Sequence, residues 1–76
     1  MSSFSELDIG DQAVVVGYVD EGEYPERLKS LGLVPGTSFV LLRAAPLGDP
    51  IEIRVRGFSL AIRAAEANCL QVRSEP

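Results

Sequence analysis

Turn residues punctuate this chain at short intervals, which favours a compact fold of short elements. Gly10, Gly32, the Pro35-Gly36 pair, the stretch Pro46-Leu47-Gly48-Asp49-Pro50 and Gly57 each interrupt what precedes them. Glycine supplies the positive φ of tight turns and proline removes a ladder donor, so neither favours a central strand. The apolar or alternating runs beside them, such as residues 12–19, 37–44 and 51–56, are about six to eight residues, the ordinary length of a strand. Seventy-six residues then make one domain, 1–76, with no second domain to complete a composite site. A chain this small buries only about 60% of its unfolded surface, so each core residue carries a large share of the stability.

The elements follow in order. After the Ile9-Gly10-Asp11 turn, Gln12 to Val19 reads as a valine-rich strand, with Val14, Val16 and Tyr18 on one face and Val15 and Val19 on the other. A strand apolar on both faces belongs in a covered position. Pro25 to Leu31 reads as a short helix with Pro25 at its first position, where a missing N–H costs nothing. Glu21, Glu23 and Glu26 cluster at its start and Arg27 and Lys29 near its end, matching the helix dipole, while Tyr24, Leu28 and Leu31 form an apolar stripe. Gly32 suits the left-handed residue that closes a helix, and Pro35-Gly36 suits a type II turn.

Thr37 to Ala44 is a second strand, with Phe39 and Leu41 on one face and Val40 and Leu42 on the other. Ile51 to Arg56 alternates: Ile51, Ile53 and Val55 inward, Glu52, Arg54 and Arg56 to solvent. Gly57 turns a hairpin, and Phe58, Leu60 and Ile62 form the inward face of the return. Ala64 to Ala67 is one helical turn, stopped by Asn68, a residue tolerant of left-handed geometry; Leu70 to Arg73 is a last short strand, and Ser74-Glu75-Pro76 is a frayed tail. Five short strands and one helix point to a mainly β fold: a small five-stranded SH3-like barrel with the helix inserted between strands one and two. Closure would remove the aggregation-prone edges.

Reactive side chains are scarce. Histidine is absent and Cys69 is the one cysteine, which removes the usual zinc sets, Ser-His and Cys-His nucleophiles and any intrachain disulfide. Cys69 reads as a small buried hydrophobe. The acids Asp20, Glu21, Glu23 and Glu26 offer oxygen ligands but lack the spacing of a calcium loop, and the helix dipole already accounts for acids there. Gly32 and Gly36 follow a helix and match no phosphate-loop pattern. We find no catalytic constellation, no cofactor motif and no metal set.

Charge is unevenly placed. Residues 1–26 hold seven acids and no base; residues 27–76 hold all seven bases and four acids, for a net charge of −4. Two readings stay open: opposed surfaces within one fold, or an arginine patch for an acidic partner. Nucleic acid is an unsuitable partner for so acidic a chain. The apolar run Ala13 to Val19 is far short of the roughly 20 residues that span a bilayer, so no direct membrane insertion is expected. The opening residues MSSFSELD lack the charge and hydropathy of a signal peptide, and a cytoplasmic location is expected. Leu31, Leu33 and Val34 after the helix, and Leu47 at a loop tip, are either core and lid or an apolar binding patch.

Three blocks carry a resemblance. The run from Arg27 to Thr37, RLKSLGLVPGT, resembles the RL-x-x-LG-[LM]-x-PG signature of the ferrous iron transport protein A (FeoA) family. Residues 45–57, APLGDPIEIRVRG, resemble that family's APLGDPI segment and following strand, and Phe58 to Arg63 resembles its S-L-x-[LI]-R element. The likeness covers roughly Leu7 to Val72. It implies a small SH3-like cytosolic protein, non-catalytic and without a dependable metal site. Its implied role is to assist the membrane ferrous iron transporter, ferrous iron transport protein B, by binding its cytosolic GTP-binding part. The contacts expected are Leu28, Leu31, Leu33, Pro46 and Leu47, with Arg54 and Arg56 as electrostatic guides and weak self-association open. The alternatives are an SH3-like adaptor for peptide segments, a domain related to those of iron-dependent repressors, and a metal-sensing protein using the acidic cluster.

Overall fold

A computed structural model describes residues Ser2 to Glu75. The elements are β1 (Ser2–Ser3), a 3-10 turn (Phe4–Glu6), β2 (Gln12–Tyr18), α1 (Glu23–Ser30), β3 (Ser38–Ala44), β4 (Ile51–Val55), β5 (Phe58–Ile62), α2 (Ala64–Ala67) and β6 (Leu70–Glu75). One antiparallel sheet has the order β1-β6-β2-β3-β4-β5. The expected mainly β, SH3-like architecture is present, with α1 between β2 and β3. Among the described residues no ladder joins β5 back to β1, so the sheet curls without closing by hydrogen bonds.

The ends of the chain depart most from expectation. Ser74 and Glu75 are not frayed: they extend β6 and pair with Ala13 and Gln12 of β2. Ser2 and Ser3 pair with Val72 and Gln71, adding a short strand. That pairing carries Phe4 into the core, 4% exposed, with its ring stacked on Phe39 at a centroid separation of 5.8 Å. Pro76, the end of the expected tail, lies outside the described residues.

Two bulges reset side-chain direction. In β2 the register against β6 slips between Val15 and Gly17, so Val16 is surplus to the ladder. An extra residue inverts the alternation beyond it. Ala13, Val15 and Tyr18 therefore meet the core, while Val16 is exposed. The expected face of Val14, Val16 and Tyr18 does not exist. In β3 the slip falls between Leu41 and Arg43, which sets Arg43 opposite Glu52, Nε 3.0 Å from Oε1. Phe39 and Leu41 point inward as the alternation predicts.

α1 begins two residues before the expected start, at Glu23, and Pro25 is its third residue and buried. That position is still within the first turn, whose N–H groups have no helical acceptor. The buried stripe is consequently Pro25 and Leu28, with Leu31 half-buried; Tyr24 is 49% exposed. The helix ends as predicted at Gly32, φ +105°. Leu33 N–H donates to Leu28 O at 3.1 Å and Gly32 N–H to Lys29 O at 3.0 Å. This pair of bonds satisfies two terminal carbonyls and brings Leu33 over Leu28, both 0% exposed. Burial of each side chain contributes about 1.5–3 kcal/mol.

The hairpin turn holds Arg56 at φ +51° and Gly57 at φ +85°, the type I′ geometry whose twist suits antiparallel strands. Phe58, expected inward, is 48% exposed, because β5 is an edge strand with nothing packed over its start. Leu60 is half-buried and Ile62 is core. Asn68 ends α2 in an ordinary right-handed conformation, φ −61°, without using its tolerance of left-handed geometry.

Candidate functional site

The loop between β3 and β4 is built to hold one apolar side chain out. Gly48 N–H donates to Ala45 O at 2.7 Å, and Ala45 N–H donates to Pro50 O at 3.0 Å, so the loop closes on its own backbone. Its base is anchored to the start of α2: Ala64 N–H donates to Asp49 Oδ1 at 2.9 Å, and the Arg63 guanidinium lies 3.8 Å from Asp49 Oδ2. At the tip Leu47 is 96% exposed. A leucine held on a tied loop makes no packing contribution to this fold, yet keeps its apolar surface in water.

Beside that base lies a cleft of about 560 Å³ lined by Tyr24 and Arg27 of α1, Pro50, Ala61, Arg63 and Glu66. Glu66 is 5% exposed although charged. Its Oε2 accepts from Arg27 Nη1 and its Oε1 accepts the Arg63 N–H at 3.2 Å, which pins α1 to α2. A second cleft, about 360 Å³, is lined by Asp20, Glu21, Glu23, Tyr24, Pro25 and Cys69. The Cys69 thiol is buried and donates to Glu66 O at 2.9 Å. Burial pushes it up, as do Asp20 and Glu66, against the opposing effect of a hydrogen bond from Cys69's own backbone, so it is a poor nucleophile. A third, apolar hollow of about 240 Å³ includes Phe4, Leu7, Ile9, Leu41 and Ile51.

Tyr18 is tied down rather than reactive. Its hydroxyl donates to Leu33 O at 2.7 Å, and burial, with Cys69 adding, pushes the phenol up to about 12. Lys29 Nζ sits 5.3 Å from the ring centroid. Among the described residues no three His, Cys, Asp or Glu side chains gather to hold a metal ion. Each of the three clefts carries one aromatic residue, unlike the aromatic-lined grooves that grip proline-rich peptides.

The contact residues expected from the sequence separate into four groups. Leu28 and Leu33 are corrected: both are 0% exposed core, one under the helix and one under its cap, and neither offers surface. Leu31 is half-buried against the core. Pro46 and Leu47 share the exposed loop, whereas Arg54 and Arg56 lie at the other end of β4. A strand of that length separates the two pairs by about 17 Å. Arg56 also donates from Nη2 to Thr37 Oγ1 at 3.3 Å. The Arg27–Glu66 pair escaped sequence reasoning, although a glutamate three residues after Arg63, ahead of a helical turn, is a capping signal.

Comparison with known proteins agrees with this geometry. Residues 3–74 match the family described as FeoA domain. A curated relative, an Fe(2+) transport protein A/Fe(2+) transporter FeoB fusion protein of Porphyromonas gingivalis, is 34% identical over 68 residues. Those residues are 90% of this chain and 8% of that one. The NMR structure of an FeoA-like protein from Clostridium acetobutylicum superposes with a TM-score of 0.88 at 34% identity, covering 97% of this chain and 90% of that one. The crystal structure of Stenotrophomonas maltophilia FeoA complexed with zinc, described as a prokaryotic SH3 domain protein, gives 0.80 at 28% identity, covering 96% and 91%. The overall fold thus recurs in known structures, and the chain belongs to the FeoA domain family.

Proposed function

We propose that this chain is a non-catalytic accessory of ferrous iron uptake, located in the cytoplasm, that binds the cytosolic GTP-binding part of the membrane ferrous iron transporter. The observation that carries the reading is Leu47, 96% exposed on a loop whose backbone is closed and anchored. The Porphyromonas gingivalis relative, whose name joins the two proteins in one polypeptide, supports the choice of partner. Leu47 and Pro46 supply the apolar contact, with Leu31 at its margin, and Arg54 and Arg56 attract the partner electrostatically. No helix of the described chain is long and apolar enough to cross a membrane, in keeping with a partner that docks on one.

The test is Leu47→Glu in the full chain, titrated calorimetrically against the purified GTP-binding domain with GDP and with a non-hydrolysable GTP analogue. Burying a leucine contributes about 2 kcal/mol, so affinity should fall about thirtyfold or more. The melting temperature should not change, because the side chain packs on nothing. Undiminished affinity removes the loop from the interface. Absence of wild-type binding in both nucleotide states refutes the reading.

A further inference from the structure

The sheet has an edge that the rest of the chain leaves unused. β5 pairs with β4 in the register Val55↔Phe58, Ile53↔Leu60 and Ile51↔Ile62. The two-residue Arg56-Gly57 turn makes Val55 and Phe58 a hydrogen-bonded pair, so alternate residues from Phe58 turn their N–H and C=O groups to β4. Ser59 and Ala61 turn theirs to the open side, and among the described residues no backbone group from outside the strand bonds them. Natural edges are guarded by charge, proline or a bulge. β5, sequence FSLAI, carries none of these and has no register shift against β4. Its outward-paired residues are small and exposed.

The unpaired charge around this edge is positive: Glu52, opposite Ala61, is taken up by Arg43, Asp49 lies beside Arg63, and Glu66 in the cleft is held by Arg27. Arg54 stands opposite Ser59 in the ladder and is exposed. Arg56 caps the hairpin, and neither arginine has a carboxylate within ion-pair distance among the described residues. Arg63 follows β5 and reaches Asp49 only at 3.8 Å with its side chain 76% exposed. At its C-terminal end β5 opens on the cleft of about 560 Å³, where Ala61 and Arg63 face Tyr24 and Arg27 of α1. In a chain of net charge −4, this is a local positive surplus beside free backbone donors and acceptors.

We propose that β5 receives an extended acidic segment of a partner protein as an added strand. Backbone bonds form at Ser59 and Ala61, carboxylates meet Arg54 and Arg56, and one end of the segment lies in the cleft against α1. Main-chain bonds supply affinity in such additions and the flanking side chains supply selectivity. A second copy of the chain suits the edge less well, because pairing two β5 strands brings their arginines together. The proposal shares Arg54 and Arg56 with the docking surface above but not Leu47. Failure at one is therefore distinguishable from failure at the other.

The probe is the capped peptide acetyl-Thr-Glu-Val-Glu-Val-Glu-Thr-amide, titrated into the isotope-labelled full chain by NMR. Shift changes should concentrate at residues 59–63 and 24–27, and exchange of the Ser59 and Ala61 amides should slow at least tenfold. Ala61→Pro deletes an outward N–H without removing a ladder bond and should weaken binding at least tenfold. Arg54→Glu, a surface change that leaves the fold intact, should weaken it at least fivefold, and the peptide with lysine in place of glutamate should not bind. Three results would overturn the proposal: no shifts at millimolar peptide, shifts centred on the Leu47 loop, or undiminished binding by Arg54→Glu. Dimerisation of the chain alone with protection of the β5 amides would do the same, by giving the edge to a second copy.

Discussion

Replacing Arg27 by methionine keeps a long apolar side chain on α1 but removes the guanidinium that faces Glu66. The two partners differ in environment: the Glu66 side chain is 6% exposed and that of Arg27 is 50% exposed. Breaking a fully buried pair by deleting one member costs about 3–5 kcal/mol, whereas an exposed pair is worth about 0.2–1 kcal/mol. Here the buried carboxylate keeps one partner, the Arg63 N–H at 3.2 Å, and solvent reaches the pair from the arginine side. The loss should be about 2 kcal/mol. A domain of this size has a total stability of about 4–11 kcal/mol, so the melting temperature should fall by about 8–16 °C. The chain has no tryptophan, and far-UV circular dichroism against urea is the assay; the midpoint should drop with the slope unchanged. Glu66→Gln and the double variant complete a cycle whose coupling should exceed about 1 kcal/mol. The exposed Arg43–Glu52 pair, with side chains 73% and 31% exposed, serves as control and should couple by about 0.5 kcal/mol. An Arg27→Met loss below about 0.5 kcal/mol, or a coupling no larger than the control, would refute the claim that this pair joins α1 to α2.

Three further outcomes are expected. Phe4→Ala should cost about 3 kcal/mol by emptying the stack on Phe39, while Phe58→Ala, half in solvent, should cost less than about 1 kcal/mol; the reverse order of urea midpoints would contradict the assigned core. Gly32→Ala should cost about 1–3 kcal/mol through backbone strain alone, since φ is +105° and a Cβ there meets nothing within 4 Å, and Leu47-dependent docking should persist. Because the folded state holds the Tyr18 proton to about pH 12 against the usual 10, stability present below pH 10 should be lost as pH rises toward 12. Tyr18→Phe should flatten that part of the urea-midpoint profile, and an unchanged profile would place the phenol in ordinary solvent.

The parts of this fold that sequence reasoning reaches are those decided within a few residues. The end of α1 is one: a glycine at the residue after a helix is favoured because a Cβ resists positive φ, and Gly32 follows from that alone, though the Leu33–Leu28 contact beneath it does not. The Pro35-Gly36 turn, the β4–β5 hairpin at Gly57 and the inward set Ile51, Ile53 and Val55 are equally local. The exposure of Leu47 belongs here too, since two prolines and a glycine in five residues leave that leucine no strand or helix to join. The docking surface was half legible for the same reason. Leu28 and Leu33 looked like surface candidates beside Leu47 because an apolar residue at a helix end has the same local pattern whether it is capped or bare.

Local pattern by itself determined a strand-rich fold, its one substantial helix and its turns. Tertiary pairing decided the rest. Ser2 and Ser3 meet Val72 and Gln71 only because β6 lies between β1 and β2, and that placement puts Phe4 in the core. Likewise, the bulges at Val16 and Leu42 arise where β2 must match β6 and β3 must match β4, and they choose which face Tyr18 and Arg43 take. Arg27 and Glu66 are 39 residues apart and meet through the packing of α1 on α2. A ladder or an ion pair is a relation between distant segments, and its geometry exists only once both are in place.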